Sequence, residues 1–207
     1  MINKKDIPYK YRSYKDKEAM RKNANINYDE YVTKAIPKHV ENLKLCSDDI
    51  VLDIGSGCGD MAKIISPLVR KVYCCDINDQ YLSYAKDACK SVDNVSFYLV
   101  NDLKFPLLFL PDSVITKGYA VSVLIHNCTE TIINYLHELK RVLKPEGTFS
   151  TTYCVKGHDK KLRPGIVESN KKDVDLAVDF LKFRVIKNIE YFNGCDTIVE
   201  LIIQKKC

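Results

Sequence analysis

Apolar residues recur along the chain in short runs, and longer amphipathic stretches separate these runs. The runs predict five strands, at 50–54, 71–76, 95–100, 113–116 and 148–154. The stretches predict helices at 60–69, 78–89 and 129–143, and a further helix over 28–43 that Pro37 interrupts. Strands that alternate with helices in this way indicate a parallel sheet covered by helices on both faces.

The end of the chain departs from this alternation. Two strand-like runs, 184–192 and 197–204, follow each other without a helix between them. Asn193-Gly194 lies between the runs and is a strong signal for a tight hairpin turn. The sheet is therefore predicted to be mixed, with an antiparallel hairpin at its end, which argues against a plain dinucleotide-binding dehydrogenase.

Composition adds the protein class. The chain has 207 residues, of which 46% are hydrophobic and 29% charged, as in a single soluble globular domain. We expect no membrane span and no secretory signal, because no apolar run is long enough and the first ten residues lack an apolar core. The nine cysteines include no C-x-x-C pair, which predicts reduced thiols in a cytoplasmic protein and no metal site.

Charge is concentrated at the start of the chain. Residues 1–22 contain eight Lys or Arg and three acidic residues, so this segment accounts for the whole net charge of +5. The same arm carries Tyr9, Tyr11 and Tyr14, and Tyr28 and Tyr31 follow it. A basic, Tyr-rich arm can dock a ligand or a partner, or it can be a solvated tail.

The decapeptide V-L-D-I-G-S-G-C-G-D at 51–60 joins a predicted strand to a predicted helix. Its glycines at 55, 57 and 59 allow the backbone to approach a ligand, and the following helix start offers N–H groups to negative charge. Asp53 precedes the first glycine, and the spacing G-x-G-x-G differs from that of dinucleotide-binding proteins. The pattern predicts a nucleotide-like ligand at this turn.

Polar residues follow the next strands at the same edge of the predicted sheet. Asp76 ends the second strand, where a carboxylate can accept hydrogen bonds from both ribose hydroxyls. Asp102 follows the third strand, where a carboxylate can accept from an adenine amino group. Lys117 and Gly118 follow the fourth. Because ligands of open α/β sheets lie beyond the carboxyl ends of the strands, these are candidate binding residues.

Over residues 30–207 the chain resembles the class I S-adenosylmethionine-dependent methyltransferases. The decapeptide is similar to their first motif, N-D-L-K-F-P at 101–106 to their adenine-contacting segment, and L-K-R-V-L-K-P-E-G at 139–147 to the signature before their fifth strand. The resemblance implies an α/β fold: a Rossmann-like, seven-stranded, mostly parallel sheet with helices on both faces and a C-terminal antiparallel β-hairpin. It implies S-adenosylmethionine as the cofactor, S-adenosylhomocysteine as its product, and no metal.

The resemblance also assigns cofactor contacts, residue by residue. Residues expected around the methionine part are Asp53, Gly55, Gly57 and Gly59. Asp76 and Ile77 are expected to hold the ribose and flank the adenine, and Asp102 and Leu103 to contact the adenine edge. Lys117 and Gly118 are expected near the sulfonium, at the end of the fourth strand.

The methyl acceptor is marked less clearly. The chain lacks the N-P-P-aromatic and D-P-P-Y tetrapeptides of base-amine methylation and the Pro-Cys pair of cytosine C5 methylation, which favours a small acceptor. His126 is the candidate general base or substrate orienter, because a neutral imidazole accepts a proton near pH 7. The alternative is a structural hydrogen bond at a helix start. Tyr119 and Asn127 are the neighbouring candidate substrate-binding residues, and His158 is a second candidate histidine.

In this family the segment before the first strand folds over the cofactor, so residues 1–44 are predicted as an arm and lid helix and residues 45–207 as the core. Tyr31 is assigned to catalysis with His126, and Tyr14 and Tyr28 to substrate binding, because tyrosine faces hold cations. Basic residues of the arm can meet an anionic acceptor.

The resulting hypothesis is methyl transfer to an oxygen or nitrogen atom of a small polar metabolite, and an anionic acceptor suits the arm. A phosphoethanolamine-like compound or a sugar derivative fits that description. One alternative is an RNA or protein methyltransferase that uses the basic arm, although nucleic acid is disfavoured. The other is a non-catalytic cofactor-binding subunit. We expect a monomer or homodimer without membrane contact.

Overall fold

The computed structural model describes residues 41, 43–157, 165–192 and 196–207. The chain divides into two compact units, one ending at Leu99 and one running from Val100 to Cys207. The predicted arm, with Tyr14, Tyr28 and Tyr31, lies outside the described residues, as do His158 and the Asn193-Gly194 turn.

The unit that ends at Leu99 is built on three parallel strands. These are β1 (Ile50–Ile54), β2 (Lys71–Asp76) and β3 (Val95–Leu99), with β2 paired to both of the others. Helix α1 (Asp60–Ile65) continues into a 3-10 turn (Ser66–Leu68), and α2 (Asp79–Ala88) follows β2. The centre of the unit is apolar, since Val51, Leu52 and Val72 are fully buried.

The unit that begins at Val100 contains the longer strands. Its elements are β4 (Ile115–Ala120), a 3-10 helix (Leu124–His126), α3 (Thr129–Val142), β5 (Leu143–Gly157), α4 (Lys171–Phe180), β6 (Phe183–Phe192) and β7 (Asp196–Lys205). Strands β4 and β5 are parallel, whereas β7 runs antiparallel to both β5 and β6. Side chains from α3 and β5 form its core, among them Leu139 and Phe149.

The seven strands form one sheet in the order β3-β2-β1-β4-β5-β7-β6. This order confirms the predicted fold class, a seven-stranded mixed sheet with an antiparallel hairpin at its end. The first three strands and the last two lie within one residue of their predicted bounds, because each is a clear apolar run.

The fourth strand corrects the sequence interpretation. It was expected at 113–116, but Ser113 has a left-handed backbone (φ 52°) that cannot continue a strand, and the strand occupies Ile115–Ala120. Lys117 and Gly118 therefore lie inside β4, paired with Thr148 and Phe149, and not at its carboxyl end. That end is Ala120, two residues before the next left-handed bend at Ser122 (φ 57°).

Two further features of the second unit differ from expectation. Strand β5 begins at Leu143, directly after α3, and bulges over 144–147, where Glu146 is left-handed (φ 62°). Helix α4 was not predicted at all; Asn170 begins it, accepting a hydrogen bond from the Lys172 N–H.

Among the helices of the described residues, none is long and apolar enough to cross a membrane.

Candidate active site

The glycine turn connects β1 to α1 through three left-handed glycines. Gly55, Gly57 and Gly59 have φ values of 72°, 54° and 78°, which glycine adopts without a steric cost. The N–H groups of Gly55 and Ser56 both donate to the carbonyl of Cys75 in β2, at 2.7 and 3.0 Å. The turn is therefore bent sharply and held against the neighbouring strand.

Gly57 and Gly59 need to be glycine for different reasons. A Cβ at Gly59 would lie 3.0 Å from the Cα and Cβ of Ala85 in α2, so α2 packs directly on this backbone. A Cβ at Gly57 would meet no atom within 4 Å. The backbone at Gly57 therefore borders open space, as a turn that admits a ligand requires.

Asp76 ends β2 and ties the glycine turn to the start of α2. Its carboxylate accepts from the N–H of Gly57 at 3.0 Å and from the N–H of Asn78 at 2.9 Å. The side chain is buried, and burial raises the pKa of Asp76 to about 6, although these backbone hydrogen bonds oppose the rise. Asn78 in turn caps α2, accepting from the N–H groups of Gln80 and Tyr81.

The polar groups of this turn fit the methionine and ribose parts of S-adenosylmethionine. Ser56 is 8% exposed, and its buried Oγ has no hydrogen-bond partner within the described structure. A buried hydroxyl without a partner is costly, so a polar ligand group at the turn would satisfy it. Asp53 is buried beside the turn and Ile77 is half-buried after Asp76. Sequence reasoning missed Ser56 because serine in a turn is common.

The segment after β3 carries Asp102 and Leu103. Asp102 is exposed, and its Oδ1 accepts from the N–H of Lys104 at 2.8 Å, which forms a local turn. Leu103 is half-buried, and Asn134 of α3 donates from its amide to the Leu103 carbonyl at 3.1 Å. Helix α3 therefore holds the backbone at Leu103 in place.

Arg141 of α3 fastens the rest of this segment. Its guanidinium donates to the carbonyls of Leu107 and Leu110 at 2.9 and 2.7 Å, and to Asp112 at 2.8 Å. It also forms a bidentate pair with the buried Glu138. The segment that carries Asp102 and Leu103 is thus anchored at both ends to one helix.

His126 ends the 3-10 helix after β4. Its Nδ1 lies 2.5 Å from the carbonyl oxygen of Gly165, and a carbonyl can only accept, so Nδ1 carries the proton. In a neutral imidazole with that tautomer, Nε2 is the basic nitrogen. The structural hydrogen bond and the role of a base, which the sequence left as alternatives, are therefore compatible on the two nitrogens of one ring.

Residues 165–170 are joined to the segment after β4 by further hydrogen bonds. The N–H of Val167 donates to Ile125, the hydroxyl of Ser169 to the Asn127 carbonyl, and the N–H of Asn170 to Thr129 Oγ1. Residues 165–170, which follow β5, therefore hold the backbone before and after His126 in place.

Tyr119 and Asn127 are the other predicted substrate-binding residues in the unit that begins at Val100. Tyr119 is 2% exposed inside β4. The Asn127 amide donates to the Val123 carbonyl at 2.9 Å and closes the 3-10 helix. The N-cap residue of α3 is Cys128, which directly follows Asn127. Their contacts with a substrate stay predictions.

Cysteines and acidic residues show no built metal centre in the part of the chain that the structure describes. No group of three His, Cys, Asp or Glu side chains comes together there. The eight cysteines found in those ranges are free thiols. Burial raises the pKa of Cys74 and Cys75, next to the glycine turn, which keeps these thiols protonated.

Comparisons with known proteins agree on one family. Residues 45–194 match a family model described as a methyltransferase domain. A protein of Archaeoglobus fulgidus, named as a probable cobalt-precorrin-6B C(15)-methyltransferase (decarboxylating), is 30% identical over 95 residues. That match covers 44% of this chain and 57% of the relative, so the chain spans little more than half of that protein's length.

Solved structures agree on the fold. A SAM-dependent methyltransferase from Aquifex aeolicus has a TM-score of 0.65 at 24% identity, covering 88% of this chain and 96% of that one. The cyclase SpnF has a TM-score of 0.69 at 15% identity, covering 84% of this chain and 80% of that one. At such identities the likeness concerns the fold alone, and the fold hosts more than one reaction.

Proposed function

The chain belongs to the class I S-adenosylmethionine-dependent methyltransferases, and from that premise we propose that it methylates an oxygen or nitrogen atom of a small polar metabolite. One observation carries the proposal: the Nδ1 of His126 is committed to Gly165, which leaves Nε2 as the basic nitrogen. A hydroxyl or ammonium acceptor must lose one proton when it gains a methyl group, and an imidazole is suited to take it near pH 7.

In this proposal the cofactor half of the site consists of the glycine turn, Ser56 and Asp76. S-adenosylmethionine supplies a methyl group on a sulfonium, which is already an excellent leaving group. The protein therefore needs only to bind, to align and to remove a proton. The turn N–H groups and the Ser56 hydroxyl suit the carboxylate of the methionine part, and Asp76 suits the two ribose hydroxyls. Asp102 and Leu103 remain the predicted adenine contacts.

His126 acts in this proposal as the general base. The hydrogen bond from Nδ1 to the Gly165 carbonyl limits the rotation of the ring, so Nε2 keeps one direction while the acceptor binds. The proton of the acceptor passes to Nε2 and then to solvent. Tyr31, Tyr14 and Tyr28 are proposed to close over the acceptor, and an anionic group on it would suit the basic residues 1–22.

Calorimetry with S-adenosylhomocysteine tests the cofactor half. We expect the wild type to bind and Asp76→Ala to lose most of the affinity, because the ribose hydroxyls lose their acceptor. Asp87→Ala is the matched control, since this carboxylate is exposed in the same unit and pairs only with Lys90 among the ion pairs of the described residues. Binding that is unchanged in Asp76→Ala would contradict the assignment.

Incubation with methyl-labelled cofactor tests the acceptor class. We expect label to pass to a small molecule from a panel of phosphorylated amines and sugar derivatives, and mass spectrometry then identifies the methylated atom. A second candidate function is methylation at a carbon atom, for which the archaeal relative is named. A carbon-methylated product would favour that second candidate. Label found only in RNA or protein would refute a small acceptor.

A further inference from the structure

Strand β6 forms one edge of the sheet and is exposed along almost its whole length. Among the strands of the described residues, it lies at the end of the strand order and pairs only with β7. Its ten residues include five large apolar or aromatic side chains that are 42–54% exposed: Val185, Ile186, Ile189, Tyr191 and Phe192. A long, apolar edge strand offers unpaired backbone groups to another strand.

The usual protections of an edge strand are weak in β6. The strand contains no proline. Two of its charged side chains are directed back along their own sheet, since Lys187 pairs with Glu200 at 2.7 Å and Arg184 hydrogen-bonds Gln204 at 3.0 Å. Charges held in this way repel an incoming strand less than free ones do. The bulge at Ile186 is the one irregular position of the β6–β7 register.

We propose that β6 pairs with β6 of a second copy of this chain, antiparallel and about a two-fold axis at Ile189. Register with β7 places Lys187, Ile189 and Tyr191 on one face, opposite Ile202, Glu200 and Ile198. Asn188 and Glu190 lie on the other face. In this arrangement the two sheets become one continuous sheet with no edge at β6.

The sequence of β6 is self-complementary in this register. Ile189 faces Ile189 of the second copy, so two apolar side chains meet on the axis. Lys187 faces Tyr191 of the second copy, so the apolar stem of Lys187 can pack on an aromatic ring while its ammonium stays paired with Glu200. On the other face the Asn188 amide faces the Glu190 carboxylate of the second copy, a donor against an acceptor.

Other registers are less favourable. An axis at Lys187 would set two ammonium groups against each other, and an axis at Glu190 two carboxylates. An axis at Asn188 would pair Lys187 with Ile189 and lose both complementary contacts. A two-fold axis midway between two residues would set side chains of opposite faces against each other. Antiparallel pairing does not allow this, because directly opposite residues share a face. Charge therefore selects the axis at Ile189.

Sedimentation velocity of the full chain tests this proposal. The protein concentration is varied between about 1 µM and 1 mM, which covers dissociation constants from micromolar to millimolar. We expect the wild type to shift from monomer to dimer as the concentration rises. Ile189→Lys sets two ammonium groups on the axis, so it should sediment as a monomer throughout. Leu108→Lys is the matched control, because Leu108 is 75% exposed and belongs to the segment between β3 and β4, and it should dimerise like the wild type.

Amide hydrogen exchange supplies a second readout, which locates the contact within the chain. We expect exchange at β6 to slow as the wild-type concentration rises, with no such change in Ile189→Lys. A wild type that stays monomeric over the whole range would overturn the proposal. So would a dimer that Ile189→Lys leaves intact with unchanged exchange at β6, since the contact would then lie elsewhere.

Discussion

The glycine turn at 55–59 and the bends at Ser113, Ser122 and Glu146 share a left-handed backbone, but only the turn uses glycine for it. The φ values are 54–78° at the three glycines of the turn and 52–62° at the three bends. A side chain at such an angle costs about 1–2 kcal/mol. Each bend accepts that strain, whereas the turn avoids it three times within five residues.

The difference lies in what approaches the backbone. All three bends are exposed, so their side chains extend into solvent. At Gly59 the backbone of α2 is within contact of the missing Cβ, and at Gly57 the missing side chain leaves open space beside Asp76. At Gly59 the glycine therefore allows close approach by a helix and at Gly57 it leaves open space, whereas the three bends show that a left-handed angle alone does not require glycine.

The largest effect expected outside the glycine turn concerns His126. Asparagine retains an N–H donor near the position of Nδ1 but has no basic nitrogen, so His126→Asn should keep the hydrogen bond to Gly165 and lose about 10²- to 10⁴-fold in turnover. His126→Ala should lose turnover and stability together. Both should bind S-adenosylhomocysteine normally by calorimetry. Full turnover of His126→Asn with the identified acceptor would reduce the residue to a structural role.

The glycine turn itself should separate stability from binding. Gly59→Ala adds a Cβ 3.0 Å from Ala85, and strain plus overpacking should lower the free energy of unfolding by about 3 kcal/mol. Gly57→Ala meets no atom, so strain alone should cost about 1–2 kcal/mol. It should nevertheless weaken S-adenosylhomocysteine binding more than about tenfold, because the Cβ enters the open space.

Urea unfolding and calorimetry measure these two quantities. Equal destabilisation by the two alanines would show that α2 does not pack on Gly59 as described. Normal binding by Gly57→Ala would mean that the ligand does not approach the turn there.

The same contrast explains how far the fold could be predicted. Strands β1 to β3, β6 and β7 are apolar runs between clear turn residues, and their bounds were predicted closely. The errors fell at bends without glycine: β4 was displaced by the bend at Ser113, and the bulge at Glu146 hid the start of β5. Helix α4 was missed because Leu176 and Phe180 are 67% and 74% exposed, which blurs its apolar face.

The residues of the candidate site also divide into those that the sequence could predict and those that it could not. Asp53, Asp76 and the glycines could be assigned because their residue types are required where they stand, and their contacts with a cofactor remain predictions. Ser56 could not, because only the folded turn buries its hydroxyl. The bond between His126 and Gly165 joins residues 39 positions apart through a backbone carbonyl, which any residue type provides. No sequence pattern announces such a contact.

A smaller effect concerns the pH dependence of cofactor binding. With a pKa of about 6, Asp76 is mostly ionised at pH 7 and mostly protonated at pH 5. The protonated carboxyl accepts from ribose poorly, so affinity for S-adenosylhomocysteine should fall about tenfold over this interval. Asp76→Asn should bind weakly at both values, with no such slope.

The free energy of unfolding changes with pH in the opposite direction to the binding affinity. A raised pKa means that the folded state holds its proton more tightly than the unfolded state. The free energy of unfolding of the ligand-free protein should therefore fall as the pH rises from 4 towards 6, and Asp76→Asn should lack this decline. A binding curve that is flat from pH 5 to 7 in the wild type would exclude Asp76 as a titrating contact.

The smallest effect tests the bends. Glu146→Gly relieves about 1–2 kcal/mol of strain and costs about 0.5–1 kcal/mol of backbone entropy, so the free energy of unfolding should rise, by at most about 1.5 kcal/mol. Glu146→Ala is the control, because it removes the exposed pair with Arg184 but keeps the Cβ, and it should give no gain. Thermal unfolding of the wild type, Glu146→Gly and Glu146→Ala shows whether the left-handed angle at Glu146 is strained. If glycine and alanine behave alike, the left-handed angle at Glu146 carries no strain, and the contrast with the glycine turn would rest on close approach alone.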